Sequence, residues 1–117
     1  MLVAYLAVTV LAIAANAFIV VADLTRARFV LQNSAAVGVP ESWLPGLALL
    51  KGAGAVGLLL GLLGVQVIGL LAAAGLVLFY VGAVLTHLRA GDRSASLGFP
   101  LAFLLVAAAS LALGLSA

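Results

Sequence analysis

The sequence predicts an all-α fold, an integral membrane antiparallel four-helix bundle with both termini on the outer side. Three observations carry this prediction. Of 117 residues, 68% are hydrophobic and only 7% are charged, too little polar surface for a soluble domain of this size. Apolar runs recur at the length of about 20 residues that a helix needs to cross a hydrocarbon core roughly 30 Å thick. Arg26, Arg28, Arg89 and Arg93 fall in the first and third connections, whereas the termini and the middle turn carry no basic side chain. By the positive-inside tendency, residues 25–43 and 89–98 then face the cytoplasm, in a multi-pass protein of the cell inner membrane.

The first helix is expected over residues 2–24, interrupted by Thr9, Asn16 and Asp23. Ala15-Asn16-Ala17 has the look of a signal cleavage site. No basic residue precedes the run, however, and Arg26 and Arg28 follow it, so a retained helix is expected. Over residues 25–43, Asn33-Ser34, Gly38 and Pro40 argue against one continuous helix, as does Pro45 just beyond. Phe29, Val30, Leu31, Val37, Val39 and Trp43 are nevertheless too apolar for a solvated loop. The segment reads as interfacial, lying along the headgroups or folding back over the mouth of the bundle, with Trp43 at the depth of the aromatic belt.

The second helix, residues 44–63, carries Lys51 and a series of glycines that includes Gly57-x-x-x-Gly61. Small residues at that spacing let backbones approach closely in a membrane; the close packing is expected inside the monomer, a homodimer seam being the alternative. Residues 64–67 form a tight uncharged turn into the third helix, residues 68–88, with small residues at Ala72, Gly75, Gly82 and Ala83. The fourth helix covers residues 99–116, with Pro100 in its first turn where proline is tolerated. The whole chain, 1–117, reads as a single transmembrane domain.

Composition also excludes function classes. There is no cysteine, so disulfides, thiolate metal sites, iron–sulfur clusters and dithiol chemistry are absent from this chain. A single histidine rules out bis-histidine haem, and no metal-ligand set is present. Five basic residues are too few and too scattered for a nucleic-acid surface.

Function is sought in the polar side chains. Asp23 ends the first helix and His87 the third, on the same side of the membrane. Lys51 lies seven residues into the second helix from Leu44, about 10 Å along its axis. Asn16 is seven residues from Asp23 and Tyr80 seven from His87, so each pair shares a helix face. Each residue also has a plain structural reading. Asp23 can pair with Arg26, Lys51 can snorkel to the headgroups, His87 can mark the membrane boundary, Tyr5 and Tyr80 can pack, and Asn16 can bridge helices. An inward lysine needs water or a partner, and Asp23 or Glu41 is available. Together Lys51, His87, Asn16, Asp23 and Tyr80 form a candidate site for the polar head of an apolar ligand.

The stretch from Leu49 to Leu58 (LLKGAGAVGL), the Val39-Pro40 loop before it and Gly82 to Asp92 (GAVLTHLRAGD) resemble the DoxX-like family of small four-helix integral membrane proteins. The wider DoxX group is associated with membrane redox assemblies, among them a thiosulfate:quinone oxidoreductase subunit. The resemblance implies an accessory component of a membrane redox system that binds a quinone-like or lipid amphiphile, with a bound quinone as its only cofactor and an oxidoreductase as a partner. Lys51, His87, Arg89 and Asp92 are the matching positions. Absence of cysteine counts against any sulfur relay. Two other functions are weighed. One is a small membrane enzyme acting on a hydrophobic substrate, with His87 or Asp23 as acid or base and Lys51 stabilising negative charge. The other is a small transporter, ranked last because the first helix has no embedded glutamate.

Overall fold

A computed structural model describes residues 2–91 and 97–116. The described residues form α1 (Leu2–Leu24), α2 (Arg28–Ala36), α3 (Leu44–Leu62), α4 (Gln66–Arg89) and α5 (Gly98–Ser116), with a 3₁₀ turn at Glu41–Trp43 and no strand. Among them α1, α3 with its preceding turn, α4 and α5 are each long and apolar enough to cross a membrane. At 1.5 Å per residue, the 24 residues of α4 cover about 36 Å. The protein is an all-helical multi-pass membrane protein.

The four long helices close a ring: α1 packs on α3, α3 on α4, α4 on α5, and α5 back on α1. Neighbours in the ring run antiparallel. The start of α1 therefore shares one end of the bundle with the start of α4 and the ends of α3 and α5. The other end collects Asp23, Leu44, His87 and Pro100. Small and polar side chains fill the axis while large aliphatic ones face outward. Ala12, Ala48, Ala55, Ala73 and Ala107 are buried together with Thr9, Asn16 and Ser110, whereas Leu49, Leu78 and Leu105 are exposed. This is the distribution expected in lipid, where tails solvate leucine as well as a core does and helices gain most from close contact between small residues.

Closest approach occurs between α3 and α4. A Cβ on Gly61 would come within 2.6 Å of the Gly69 Cα, and one on Gly57 within 2.5 Å of the Ala72 Cβ. The Gly57-x-x-x-Gly61 seam thus lies inside the monomer. Nearby, the Thr9 and Ser110 hydroxyls share a hydrogen bond of 2.7 Å, and Gln66 Nε2 donates to the Gly114 carbonyl at 3.3 Å.

Boundaries differ from the sequence expectation at several places. The turn after α3 is shorter than residues 64–67: Gly64, at φ 118°, takes the left-handed conformation that ends the helix, and Val65 N–H returns to the Leu60 carbonyl. That lets α4 begin at Gln66. Within the interfacial segment 25–43 lies α2, in which Asn33 and Ser34 are helical rather than breaking residues. The same type of cap ends α1, with Ala27 N–H on the Ala22 carbonyl and Arg26 N–H on the Asp23 carbonyl. Arg26 sits there at φ 54°, a conformation that usually falls to glycine. This abrupt stop folds the chain back, and α2 lies across the end of the bundle. Its Phe29 stacks between Phe18 of α1 and Phe99 of α5, while Val30 packs with Ala22 and Leu44. Asp92 and Arg93 lie outside the described residues.

Candidate functional site

Asp23 and Lys51 meet across the α1–α3 contact. The Lys51 Nζ is 2.5 Å from the Asp23 Oδ2, and both side chains are almost fully buried. A buried lysine or aspartate alone would be costly in a membrane, and pairing them removes the net charge. The contact is a charge pair rather than an aligned hydrogen bond. Lys51 also lies 5.6 Å from the centroid of the Phe79 ring, within cation–π range. The expected alternatives are corrected here: Asp23 does not pair with Arg26, and Lys51 does not pair with Glu41. Arg26 and Glu41 instead pair with each other at 3.3 Å on the exposed rim. The α1 cap turns Arg26 outward from the axis, so the buried carboxylate is left to the lysine.

Tyr80 and Asn16 form the next layer. The Asn16 Nδ2 donates to the Ala12 carbonyl at 2.8 Å, which turns the amide oxygen toward α4. There Tyr80 O–H donates to the Asn16 Oδ1 at 2.5 Å. The Tyr80 ring packs edge-on against Phe79 and at a tilt against Phe103. His87, two turns further along α4, is buried on the same side of the helix.

These groups surround a cavity of about 340 Å³ at this end of the bundle. Asp23, Lys51, Tyr80 and His87 line it; Asn16 does not, and holds Tyr80 from behind. Arg89 is exposed and outside the lining, and Asp92 is outside the described residues. Four phenylalanines, Phe29, Phe79, Phe99 and Phe103, contribute walls, Trp43 stands beside them, and α2 supplies Asn33 and Ser34. Sequence reading missed this aromatic lining and both α2 residues. The cluster of aromatics depends on how five helices are rotated about their own axes, which no one helix reveals; the apolar character of Phe29 and Val30 was the one available signal for α2.

The cavity therefore combines the Lys51–Asp23 pair and a few further polar side chains with aromatic and aliphatic walls. It can hold a flat, uncharged head with hydrogen-bonding atoms, its apolar tail leaving toward lipid. Among the described residues no cluster of three or more histidine, cysteine, aspartate or glutamate side chains could hold a metal ion. A second furrow, of about 620 Å³ between α1 and α3, is lined by apolar residues such as Val20, Leu49 and Leu60 and offers no charged group. Of these two spaces, the first carries the charged and polar groups.

A comparison with known families finds that the DoxX-like family model matches residues 7–110. No curated protein and no solved structure matches the chain.

Proposed function

The chain belongs to the DoxX-like family, and from that premise we propose that it binds the head of a quinone-like or lipid amphiphile at the Lys51–Asp23 end, as an accessory component of a membrane redox system. The observation that carries this reading is the 340 Å³ cavity in which a self-neutralised ion pair faces aromatic walls. That volume is at the lower end of the range for small-molecule sites, suited to a ring-sized head and not to a whole lipid. Lysine has three N–H donors, and its one ion-pair contact, with Asp23, leaves donor capacity for a carbonyl or hydroxyl. Because the pair is already neutral, an uncharged head is preferred over an anionic one. Phe79, Phe99 and Phe103 offer faces and edges for a planar ring. Tyr80 is held by Asn16 and serves to shape the wall.

A bound quinone would supply two-electron, two-proton redox chemistry, with an oxidoreductase partner as the source or sink of electrons. The chain's own residues bind and orient it: Lys51 and His87 at the polar atoms, the phenylalanines at the ring. Arg26, Arg28 and Arg89 gather at the cavity end, which in this reading is the cytoplasmic end, with both termini outside. The enzyme alternative is disfavoured for Asp23, since its carboxylate would have to leave Lys51 before it could move a proton.

The test is native mass spectrometry of protein extracted gently from its membrane, with organic extraction of what accompanies it. A defined quinone or lipid bound to wild type and absent from Lys51→Ala/His87→Ala is expected. The same lipids on both proteins, or none on either, would refute the proposal.

A further inference from the structure

The α2 helix contributes a polar group that the proposed binding mode has not used. Asn33 lies one turn beyond Val30, which anchors α2 on Ala22 and Leu44, and it lines the same cavity as Lys51. Its Oδ1 is buried and has no hydrogen-bond partner among the described residues. An amide oxygen shut away without a partner is destabilising, and such atoms are rare in folded proteins unless something else satisfies them. The helix does not need Asn33 for its own sake. It has no side-chain cap bond, asparagine is a modest helix former, and Phe29 and Val30 supply the packing that holds α2 in place.

Lys51 and Asp23 approach the cavity from α3 and α1, and Asn33 approaches it from the helix lying across the bundle end. Phenylalanine rings line the same space, together with Ser34, Thr86 and His87. From this arrangement we infer that Asn33 is a ligand-contacting residue and that the cavity reads heads with two polar atoms. One atom of the head is met by Lys51 and the second by the Asn33 carboxamide. A carboxamide can accept from a hydroxyl or, after rotation about its terminal bond, donate to a carbonyl, so this recognition applies to either kind of oxygen. The class selected is an amphiphile whose ring carries two oxygens. Single-ended heads, such as a fatty alcohol or a tailed phenol, would leave one pole unmatched. This assignment rests on the cavity being the ligand site.

The experiment is competition followed by native mass spectrometry. Wild-type protein in detergent is given an equimolar mixture of decylhydroquinone and the two decylphenols that each lack one of its hydroxyls, and the occupancy of each is read from one spectrum. Wild type should favour decylhydroquinone by about tenfold, the worth of one good hydrogen bond. In Asn33→Leu, which keeps the branched shape in a somewhat larger apolar side chain, and in Asn33→Ala the ratio should fall to about one through weaker hydroquinone binding. Two variants of different size separate loss of the amide from distortion of α2. Binding without discrimination in wild type, or discrimination that survives both substitutions, overturns the role of Asn33 and leaves the cavity as a ligand site. No binding of any of the probes to wild type removes the ligand site and the Asn33 assignment together.

Discussion

The two ends of this bundle are made from the same four helices and solve opposite problems. At one end, Gly61 and Gly69 bring α3 and α4 so close that a single added carbon would meet backbone, and the Thr9–Ser110 hydrogen bond ties α1 to α5. At the other end, Gly82 would meet nothing within 4 Å if it gained a Cβ, because it lines the cavity. Gly61 therefore marks contact and Gly82 space. The difference teaches that helix spacing here is set by which residues oppose each other. Small faces small at the closed end, while aromatic side chains and an ion pair line the cavity at the open one.

The largest effect is expected from the ion pair. Lys51→Met should destabilise the protein by about 3–5 kcal/mol, since it leaves Asp23 buried and uncompensated. The double variant Asp23→Asn/Lys51→Met should recover most of that loss, and thermal unfolding in detergent reads both. If the single variant were as stable as wild type, the open end would be far wetter than described.

The glycine contrast gives the next largest difference. Gly61→Ala should cost about 1–3 kcal/mol, because the atom it meets is backbone and cannot step aside. Gly82→Ala should stay within about 0.5 kcal/mol. A larger side chain, Gly82→Leu, should leave the fold intact and abolish ligand retention by filling the cavity. Equal losses of stability at Gly61 and Gly82 would remove the distinction between the ends.

The smallest effect concerns the hydroxyl pair. Thr9→Val should cost roughly 0.6 kcal/mol, the average for an interhelical hydrogen bond in a membrane bundle. Thr9→Val/Ser110→Ala should be nearly neutral, since neither hydroxyl is then left buried alone. Ligand binding at the far end should not change in either.

Much of this architecture was legible in the residues. The four spans followed from hydropathy and length, and the seven-residue spacings of Asn16 to Asp23 and of Tyr80 to His87 placed each pair on one face of its helix. The Gly57-x-x-x-Gly61 seam was also visible, but its partner Gly69 was not, since a small-residue stripe names no opposing helix. Lys51 had two acids within reach, and only the cap that stops α1 and turns Arg26 outward decided between Asp23 and Glu41. The apolar residues Phe29 and Val30 marked the segment as interfacial, but nothing local announced that α2 is helical. It has no capping side chain, holds Asn33-Ser34 in its middle, and is stabilised by rings on other helices, Phe18 of α1 and Phe99 of α5. The cavity was hidden for the same reason: it exists only once α2 covers the bundle end.

Trp43, the single tryptophan, lines the cavity and so can report on what enters it. The most direct test of the account is to titrate its fluorescence with decylbenzoquinone in wild type and in Asp23→Asn/Lys51→Met, the variant expected to keep the fold while losing the charged pair. The account predicts saturable quenching near one equivalent in wild type and only weak, non-saturating quenching in the variant. Saturable quenching of equal strength in both proteins would contradict it, and so would the absence of saturation in wild type.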